Sequence, residues 1–370
     1  MSTLFSPLTI GNLELDNRIV VSPMCQYSAE DGSATDWHLM HLGSLALGGP
    51  GLLFLEVTAV EATGRITPGC LGLYSDANEA ALERVLRALR RWTPTHLGLQ
   101  LAHAGRKASS HAPWETGMLI PAEAGGWRPV APSAVPQRDD EVPPEELDAA
   151  GMARIRDAFV ASARRALRLG FDAVELHCAH GYLLHEFLSP ISNRRTDAYG
   201  GALENRMRFP LEVFDAVRAV WPSTKPLGVR VSATDWVEGG WDPEQTLVLA
   251  RALKDRGCDW IDTSSGGVSS QQKIPLGPGY QVHLASLIRK EIGIATMAVG
   301  LITDPQQAEA IVARGDADLV ALGRGMLWDP RWAWHAAAQL GGTVAAPVQY
   351  WRAPPKEAGR VFGDTPIGMR

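Results

Sequence analysis

Residues 175–201 read ELHCAHGYLLHEFLSPISNRRTDAYGG and begin inside an apolar, β-compatible run at 173–176. His177, His180 and Tyr182 lie within six positions of one another. The following segment, 193–201, is polar and punctuated by glycine, which predicts a loop rather than core. Because chemistry-bearing residues concentrate in loops that a rigid scaffold positions, the stretch predicts a buried strand feeding a functional loop.

The same order of strand, turn and helix recurs on both sides of this stretch. The run GLLFLEV at 51–57 is continuously apolar, as a parallel strand buried on both faces requires. Strands are predicted at 17–21, 51–57, 96–102, 173–176, 227–231, 260–262, 295–299 and 319–322. Helices are predicted at about 37–47, 76–92, 147–169, 208–220, 243–256, 283–292, 305–314 and 331–339. This alternation predicts an α/β fold, the TIM (β/α)8 barrel.

A doubly wound sheet is the alternative for alternating strands and helices. Its usual signature, a strand followed by G-x-G-x-x-G, does not occur, and no shift in composition marks a second domain. We therefore expect one barrel domain over residues 1–345, with a long Pro- and Gly-rich loop at 104–146 that serves as a lid. The tail 346–370 is rich in Pro, Gly and Arg, and we expect it to dock on a neighbouring subunit.

The composition is that of an ordinary globular protein, with 370 residues of which 45% are hydrophobic and 21% charged. A net charge of -6 without a dense Lys/Arg block disfavours nucleic acid or an anionic membrane as a partner. No secretory leader pattern opens the chain and no apolar run approaches about 18 residues, so we expect a cytoplasmic protein. The four cysteines form no C-x-x-C pair, which disfavours zinc and iron–sulfur sites.

Polar residues at the strand ends are predicted to share one face, because the catalytic groups of TIM barrels lie at the C-terminal ends of the strands. Arg230 differs from the rest, since a cation inside a strand is costly to bury unless it meets an anion. Gly300 and Gly323-Arg324 follow the last two strands, where barrels frequently bind phosphate. The set is Pro23, Met24, Cys25, Tyr27, Ala59, Gln100, His103, Lys107, His177, His180, Tyr182, Arg230, Gly300, Gly323 and Arg324.

One interpretation of the histidines is a metal site. His103, His177 and His180 could supply three ligands to zinc, which would indicate a metal-dependent TIM-barrel lyase or hydrolase. Against a metal, the set lacks a carboxylate, since we expect strand alternation to turn Glu175 elsewhere. Arg230 would also oppose a bound dication.

The other interpretation makes His177 and His180 hydrogen-bond donors that stabilise negative charge developing on a carbonyl oxygen. Tyr182, with its weakly acidic phenol, would then donate a proton to the substrate. The residues alone leave both chemistries open.

Several motifs make the chain resemble a known family. They are NRIVVSPMCQY, GRITPG, QLAHAGRK, ELHCAHGYLLHEFLSPISNRRTDAYGG and LGR, in family order from about residue 4 to 352. The sequence is similar to the old yellow enzymes, which are FMN-dependent NADPH dehydrogenases and ene-reductases, and specifically to their bacterial thermophilic-like subgroup. His-x-x-His is that subgroup's usual pair, and Cys25, where most of the family has Thr, marks the subgroup.

The resemblance implies an FMN at the mouth of the barrel. Arg230 would lie beside flavin N1 and the C2 carbonyl, where reduction places negative charge, which agrees with its status as a buried cation. Cys25 is expected to tune the flavin potential and to touch the substrate. The implied cofactor residues are Ser22, Pro23, Met24, Cys25, Ala59, Gln100 and Arg230, with Gly300, Gly323 and Arg324 near the phosphate.

The resemblance also implies NADPH as reductant, with ping-pong kinetics. The substrate would be an α,β-unsaturated carbonyl or a related electrophile, reduced at its activated C=C bond. His177 and His180 would hold the carbonyl oxygen, and Tyr182 would protonate the α-carbon. Tyr27 and Lys107 are expected to line the substrate pocket.

A homodimer or homotetramer is implied as well. Segment 349–352, QYWR, resembles the one through which the subgroup inserts an arginine into the neighbouring active site. Arg352 is therefore the candidate for that role, with Trp351 as the alternative. The nearest rival among flavin barrels, a dienoyl-CoA-type reductase, needs a cysteine cluster and further domains, and a non-catalytic flavin-binding protein would not need the His177, His180 and Tyr182 set.

Overall fold

Eight parallel strands close into a barrel in the computed structural model, which describes residues 2–365. In chain order the strands are β1 Leu8–Ile10, β2 Leu13–Leu15, β3 Ile19–Val21, β4 Leu52–Ala59, β5 His96–Ala102, β6 Val130–Ala131, β7 Glu145–Glu146, β8 Ala173–Cys178, β9 Leu227–Ser232, β10 Trp260–Ser264, β11 Ala295–Ala298 and β12 Leu319–Leu322. The barrel order is β10-β11-β12-β3-β4-β5-β8-β9. The predicted TIM barrel is thereby confirmed, with a barrel strand at each of the predicted positions.

The helices that surround the barrel alternate with its strands. Side-chain caps start several of them: Asp148 before α3 and Asp242 before α6 each accept a hydrogen bond from a backbone N–H group of the first turn. Within the described residues the helices are α1 Asp36–Ala46, α2 Asp76–Trp92, α3 Ala149–Arg168, α4 Leu183–Leu188, α5 Leu203–Arg218, α6 Pro243–Lys254, α7 Val282–Ile292, α8 Pro305–Ala313, α9 Arg324–Trp328 and α10 Trp332–Leu340.

Some elements were not predicted from the sequence. β1 and β2 pair as an antiparallel hairpin ahead of the barrel. α4 and α9 have six and five residues, too few to show a helical period. α5 begins at Leu203, before the predicted start at 208. It carries Pro210 in its interior, although proline usually indicates a helix boundary.

The inside of the barrel has an apolar part and a polar part. The apolar cluster includes Ala173 of β8, and the strand period of two therefore places Glu175 on the same inner face. The apolar cluster consists of Ile10, Leu15, Val20, Leu52, Phe54, Ala173, Trp260, Met297, Leu319 and Ala321, whereas the polar side chains buried in the barrel include Gln100, Glu175, Arg230 and Asp262.

The described part of the tail packs on its own barrel. Trp334 of α10 meets the rings of Tyr350 and Phe362 edge-on, with centroids 5.7 and 4.9 Å away. Residues 366–370 of the predicted docking tail lie outside the described residues. Docking of the tail on a neighbouring subunit and the domain boundary at 345 stay predictions. Within 2–365, no helix combines the length and apolarity that crossing a membrane requires.

Candidate active site

Two imidazoles and a phenol lie together where β8 ends. Nδ1 of His180 is 3.3 Å from Nε2 of His177, and the Tyr182 ring centroid is 5.1 Å from that of His177. His180 has a φ of +61°, in the left-handed region that residues with a side chain rarely adopt. Such strain persists where the surrounding structure fixes a geometry, and it concentrates at functional sites. The structure thus brings these predicted residues together.

Residues from the ends of β9 and β10 and from the loop after β5 fix the strained His180. Its backbone N–H donates to Ser232 Oγ at 2.9 Å, and its Nε2 lies 2.7 Å from Ser264 Oγ. Lys107 Nζ donates to the carbonyl oxygens of His180 at 2.8 Å and Gly267 at 2.9 Å. A Cβ on Gly267 would lie 2.6 Å from the His180 backbone, so glycine permits this close approach.

The protonation states of this cluster suit hydrogen-bond donation. Burial, followed by the charge of Arg230, lowers the pKa of His177 well below 6.5, and burial with His177 lowers the pKa of His180 in the same way. Both imidazoles are therefore neutral at pH 7, and each keeps one N–H donor. Burial raises the pKa of Tyr182 well above 10.0, so the phenol keeps its proton.

Lys107 lies beside Tyr182, with Nζ 5.3 Å from the ring centroid. Burial, followed by the charge of Arg106, lowers the pKa of Lys107 to about 8. Its donated hydrogen bonds go to backbone carbonyls of two loops, which makes it a brace for the site. Its predicted contact with substrate stays a prediction.

The segment after β3 carries the predicted residues Ser22, Pro23, Met24 and Cys25. A buried acid holds its backbone: Glu56 Oε2 accepts from the Gln26 N–H at 3.0 Å, and Glu56 Oε1 lies 3.1 Å from His38 Nε2. Burial, followed by the proximity of Cys70, raises the pKa of Cys25 well above 9.0. Cys25 therefore presents a thiol and not a thiolate at neutral pH.

Tyr27 closes this segment in a strained conformation with a φ of +54°. Its ring packs edge-on against Trp114 of the long loop, with centroids 5.3 Å apart. The loop 104–146 therefore reaches a predicted substrate residue, as a lid would, although movement of the loop stays a prediction.

Among the buried polar atoms that have no hydrogen-bond partner within residues 2–365 are Ser22 Oγ, His177 Nδ1 and Arg230 Nε. Arg230 is 6% exposed, and its Nε lies 3.3 Å from Asp262 Oδ2 without forming a hydrogen bond. Leaving a buried polar group unsatisfied costs about 1–3 kcal/mol. All three atoms belong to residues predicted to bind flavin or substrate, so they fit a polar ligand at the barrel mouth.

A cavity of about 150 Å³ follows β11 and β12. Gly300 has a φ of +123°, which glycine adopts without a steric penalty, and Gly323 immediately precedes α9, whose first residue is Arg324. Backbone N–H groups at a helix start and an arginine are phosphate-binding groups. The cavity, lined by Ser264, Tyr280, Gly300, Thr303, Gly323 and Arg324 among others, fits the phosphate of FMN.

Gln100 of β5 is joined to Glu175 of β8 inside the barrel, and Ala59 is buried at the end of β4. Gln100 Nε2 donates to Glu175 Oε1 at 2.7 Å, and Trp260 Nε1 donates to Glu175 Oε2 at 3.1 Å. The expectation that Glu175 turns away from the site is wrong, because residues two apart on a strand face the same side and Glu175 is two before His177.

His103 is occupied by other contacts. Its Nε2 lies 3.0 Å from Glu61 Oε1, and its Nδ1 accepts from the Gly105 N–H at 3.0 Å. Across residues 2–365, no group of three or more His, Cys, Asp or Glu residues could hold a metal ion. The zinc interpretation therefore lacks its ligand set, because His103 does not join His177 and His180.

The predicted intersubunit residues lie in the tail. Arg352 is exposed, whereas Trp351 is partly buried and donates from Nε1 to the Ala346 carbonyl at 3.0 Å. Their contribution to a neighbouring active site stays a prediction.

Sequence reasoning did not assign roles to Ser232, Ser264 or Asp262, although each contacts a predicted site residue. The sequence signal for these three residues was a polar side chain at an inward-facing position near the end of β9 or β10. The alternation within WIDTS, which puts Asp262 and Ser264 on the same face, carried that information.

Buried, neutral hydrogen-bond donors at the mouth of a closed (β/α)8 barrel, beside a buried arginine, fit a flavin-dependent oxidoreductase. The chain belongs to the NADH:flavin oxidoreductase / NADH oxidase family, whose model matches residues 3–342. The resemblance to the old yellow enzymes is thereby confirmed. The chain is an oxidoreductase with FMN as its cofactor, and several of its relatives are named NADPH dehydrogenase.

Individual relatives agree with this assignment. The chain is 47% identical over 351 residues to an NADPH dehydrogenase of Geobacillus sp. (strain WCH70), covering 94% of this chain and 98% of the relative. Morphinone reductase matches in structure with a TM-score of 0.75 at 28% identity, covering 96% of this chain and 93% of the other. A complex of 2-naphthoyl-CoA reductase matches with a TM-score of 0.82 at 26% identity over 92% of this chain, which spans only 52% of that longer chain.

Proposed function

We propose that the enzyme reduces the activated C=C bond of α,β-unsaturated carbonyl compounds and related electrophiles. The observation that carries this proposal is the pair of neutral imidazoles, His177 and His180, 3.3 Å apart between ring nitrogens and next to the protonated phenol of Tyr182. Such imidazole N–H groups can bind an oxygen of the substrate, and the phenol can donate a proton to one of its carbons. The chemistry that FMN supplies when bound is hydride transfer, from NADPH and then to the β-carbon of the substrate.

His177 and His180 hold the carbonyl oxygen of the substrate. Hydride addition at the β-carbon moves charge onto that oxygen, and preorganised N–H donors stabilise the charge as it develops. Neutral imidazoles serve as donors without the desolvation cost of two buried cations. The braces from Ser232, Ser264 and Lys107 keep His180 in place, so little reorganisation is needed during the reaction.

Tyr182 donates the proton that completes the reduction. A hydride at the β-carbon and a proton at the α-carbon together saturate the C=C bond and restore the carbonyl. The raised pKa of Tyr182 keeps the O–H intact before turnover.

The cofactor is held by residues that end different strands. Arg230 supplies the cation for the flavin's polar edge, and its unsatisfied Nε supports this role. The cavity beside Gly300 and Arg324 takes the phosphate. The complete proposed set is Ser22, Pro23, Met24, Cys25, Ala59, Gln100, Arg230, Gly300, Gly323 and Arg324.

Cys25 and Tyr27 pack against the same apolar cluster as Tyr182, which places them beside the substrate. The protonated Cys25 thiol is an uncharged contact for an apolar enone, and it tunes the flavin potential. Tyr27 lies near the substrate carbonyl. Lys107, in the loop after β5, lines the substrate pocket.

A homodimer or homotetramer would complete the site, with Arg352 or Trp351 entering from the neighbouring subunit. Large exposed apolar side chains support a contact surface: Met40 is 63% exposed, Trp328 91% and, in the tail itself, Val348 61%. Large exposed apolar groups rimmed by polar residues are typical of protein contact sites.

Steady-state kinetics test the proposal. NADPH oxidation should be stimulated strongly by cyclohexenone but not by cyclohexanone, which has the carbonyl without the C=C bond. Because both substrates use one site in turn, double-reciprocal plots at several NADPH concentrations should be parallel. Equal stimulation by the saturated ketone would contradict enone reduction, and intersecting lines would contradict the shared site.

A further inference from the structure

Two buried carboxyl groups lie inside the barrel against the two polar side chains assigned to the flavin ring. Gln100 Nε2 donates to Glu175 Oε1 at 2.7 Å, and Arg230 Nε lies 3.3 Å from Asp262 Oδ2. Glu175 is fully buried and Asp262 is 1% exposed. Buried acids are retained at a cost, so these positions require a reason.

The contacts of Glu175 orient the Gln100 amide. Trp260 Nε1 donates to Glu175 Oε2 at 3.1 Å, and an indole can only donate. The two oxygens of an ionised Glu175 thus face two N–H donors, one from Trp260 and one from Gln100. The amino end of Gln100 is turned toward Glu175, and its carbonyl oxygen is left for another partner.

We propose that Glu175 is a positioning residue, which fixes the Gln100 amide so that its carbonyl oxygen is presented to the flavin ring. This inference rests on the proposed function in one respect, the assignment of Gln100 to the flavin. The isoalloxazine ring has a matching N–H donor on its polar edge. Glu175 itself touches neither flavin nor substrate, and it acts through Gln100.

The protonation of Glu175 couples this orientation to pH. Burial, followed by the charge of Asp262, raises the pKa of Glu175 to about 8. Glu175 therefore holds the Gln100 carbonyl toward the flavin in its ionised form, above about pH 8. Below that pH a protonated Glu175 can donate its O–H to the Gln100 carbonyl and reverse the amide. The charged groups around it are Asp262 on β10 and Arg230 on β9.

The remaining titratable neighbours stay neutral across this range. Burial raises the pKa of the Cys178 and Cys258 thiols, and burial lowers the pKa of His177 on the same strand. Burial also raises the pKa of Asp262, so a transition near pH 8 in the inner barrel is attributed to the two interacting carboxyls, Glu175 and Asp262.

Glu175→Gln tests the orientation. The new amide must turn its oxygen to the Trp260 N–H, so its own NH2 group faces Gln100 and forces the Gln100 amide to reverse. An N–H group then faces the flavin and a negative charge is lost, and both changes favour the reduced, more negative cofactor. The holoenzyme variant should bind FMN with a higher reduction potential than wild type at pH 9. The difference should shrink by pH 6, where wild-type Glu175 is protonated.

A stability cycle on the apoprotein tests the pairing without flavin. Gln100→Glu places two carboxylates in contact and should lower the melting temperature at pH 9. The exchanged pair, Gln100→Glu with Glu175→Gln, restores one carboxylate and one amide and should recover most of that loss. If the exchanged pair is no more stable than Gln100→Glu alone, or fails to fold, the pairing is overturned.

The two arms separate this inference from the proposed function. Wild-type protein that takes up no FMN contradicts the function, while the apoprotein cycle still decides whether Glu175 orients Gln100. Normal FMN reduction with the same potential in wild type and Glu175→Gln at pH 9 overturns the positioning role alone. A potential difference that is constant from pH 6 to 9 also overturns it, because a purely structural effect would not follow the titration of Glu175.

Discussion

Nε2 of His177 and Nδ1 of His180 lie 3.3 Å apart, and His180 holds this position with a strained backbone φ of +61°. Contacts from Ser232, Ser264 and Lys107 stabilise the strained residue. Because several polar contacts hold one strained backbone conformation, the close pair of imidazoles supports a functional role for His177 and His180.

His177→Ala should reduce kcat/KM for cyclohexenone by about 100- to 1000-fold, the usual effect of removing one oxyanion donor. It should also weaken the binding of phenols, while FMN content stays close to that of wild type. Flavin absorbance per subunit, steady-state rates and phenol titration measure the three quantities. His335→Ala, at a side chain that is 68% exposed on α10, is the matched control. Unchanged enone reduction in His177→Ala would refute the oxyanion role.

Tyr182→Phe should separate the two half-reactions. Reduction of the enzyme by NADPH should proceed at the wild-type rate, because it needs no proton from Tyr182. Reoxidation by cyclohexenone should slow by about 100-fold or more, as expected for the loss of a general acid. Stopped-flow absorbance under argon follows each step. Tyr74→Phe, which removes a phenol bonded to the Asp31 carbonyl, is the control, and equal slowing of both half-reactions would count against proton donation.

Cys25 should react slowly with iodoacetamide. Its raised pKa leaves less thiolate at pH 7.5 than a free cysteine has, and only the thiolate reacts. Mass spectrometry of the apoprotein should show alkylation at Cys25 rising steeply as pH increases to 10. Glutathione under the same conditions gives the reference rate, and Cys25→Ala identifies the labelled site. A rate at pH 7.5 as fast as that of glutathione would contradict the protonated thiol.

Arg352→Ala should lower kcat/KM for the enone by about tenfold or more if the guanidinium donates to a ligand of the neighbouring subunit. The mass in solution, measured by light scattering, shows whether the oligomer persists. Arg360→Ala is the control, because Arg360 is an exposed arginine of the same tail paired with Asp364. Should Arg352→Ala change neither turnover nor oligomeric state, the intersubunit role is wrong.

Glu186 should make the fold less stable at alkaline pH. Burial raises its pKa to about 8, above an unfolded value of about 4.3, despite the charge of Arg106. A raised folded-state pKa contributes stability that is complete below pH 4.3 and is lost as pH rises through about 8, by at most about 1.4 kcal/mol per pH unit. Urea unfolding at pH 5 to 8.5 should show a smaller decline for Glu186→Gln than for wild type. Glu238→Gln, at an exposed position, should decline like wild type.

The barrel could be predicted from sequence because each β/α unit carries a local signal. The apolar strand that became β4, the amphipathic helix α2 and the turn residues after them depend on neighbours in sequence. The hairpin of β1 and β2 and the short α4 gave no such signal, since three-residue strands and a six-residue helix are set by tertiary packing.

Site residues could be predicted where they belong to one sequence motif. They could not be predicted where the contact joins residues from different strands. His177, His180 and Tyr182 come from one stretch of sequence, whereas Ser264 reaches His180 from β10. Glu175 was misplaced because strand alternation was applied with the wrong phase: residues 175 and 177 are two apart, so the period of two places Glu175 on the inner face with His177.

The central claim is tested most directly by the absorbance of the purified protein under argon. The account predicts a yellow protein with flavin bands that bleach on addition of NADPH and return when cyclohexenone, but not cyclohexanone, is added. A colourless protein that takes up no added FMN, or a bleached flavin that cyclohexenone does not reoxidise, would contradict it.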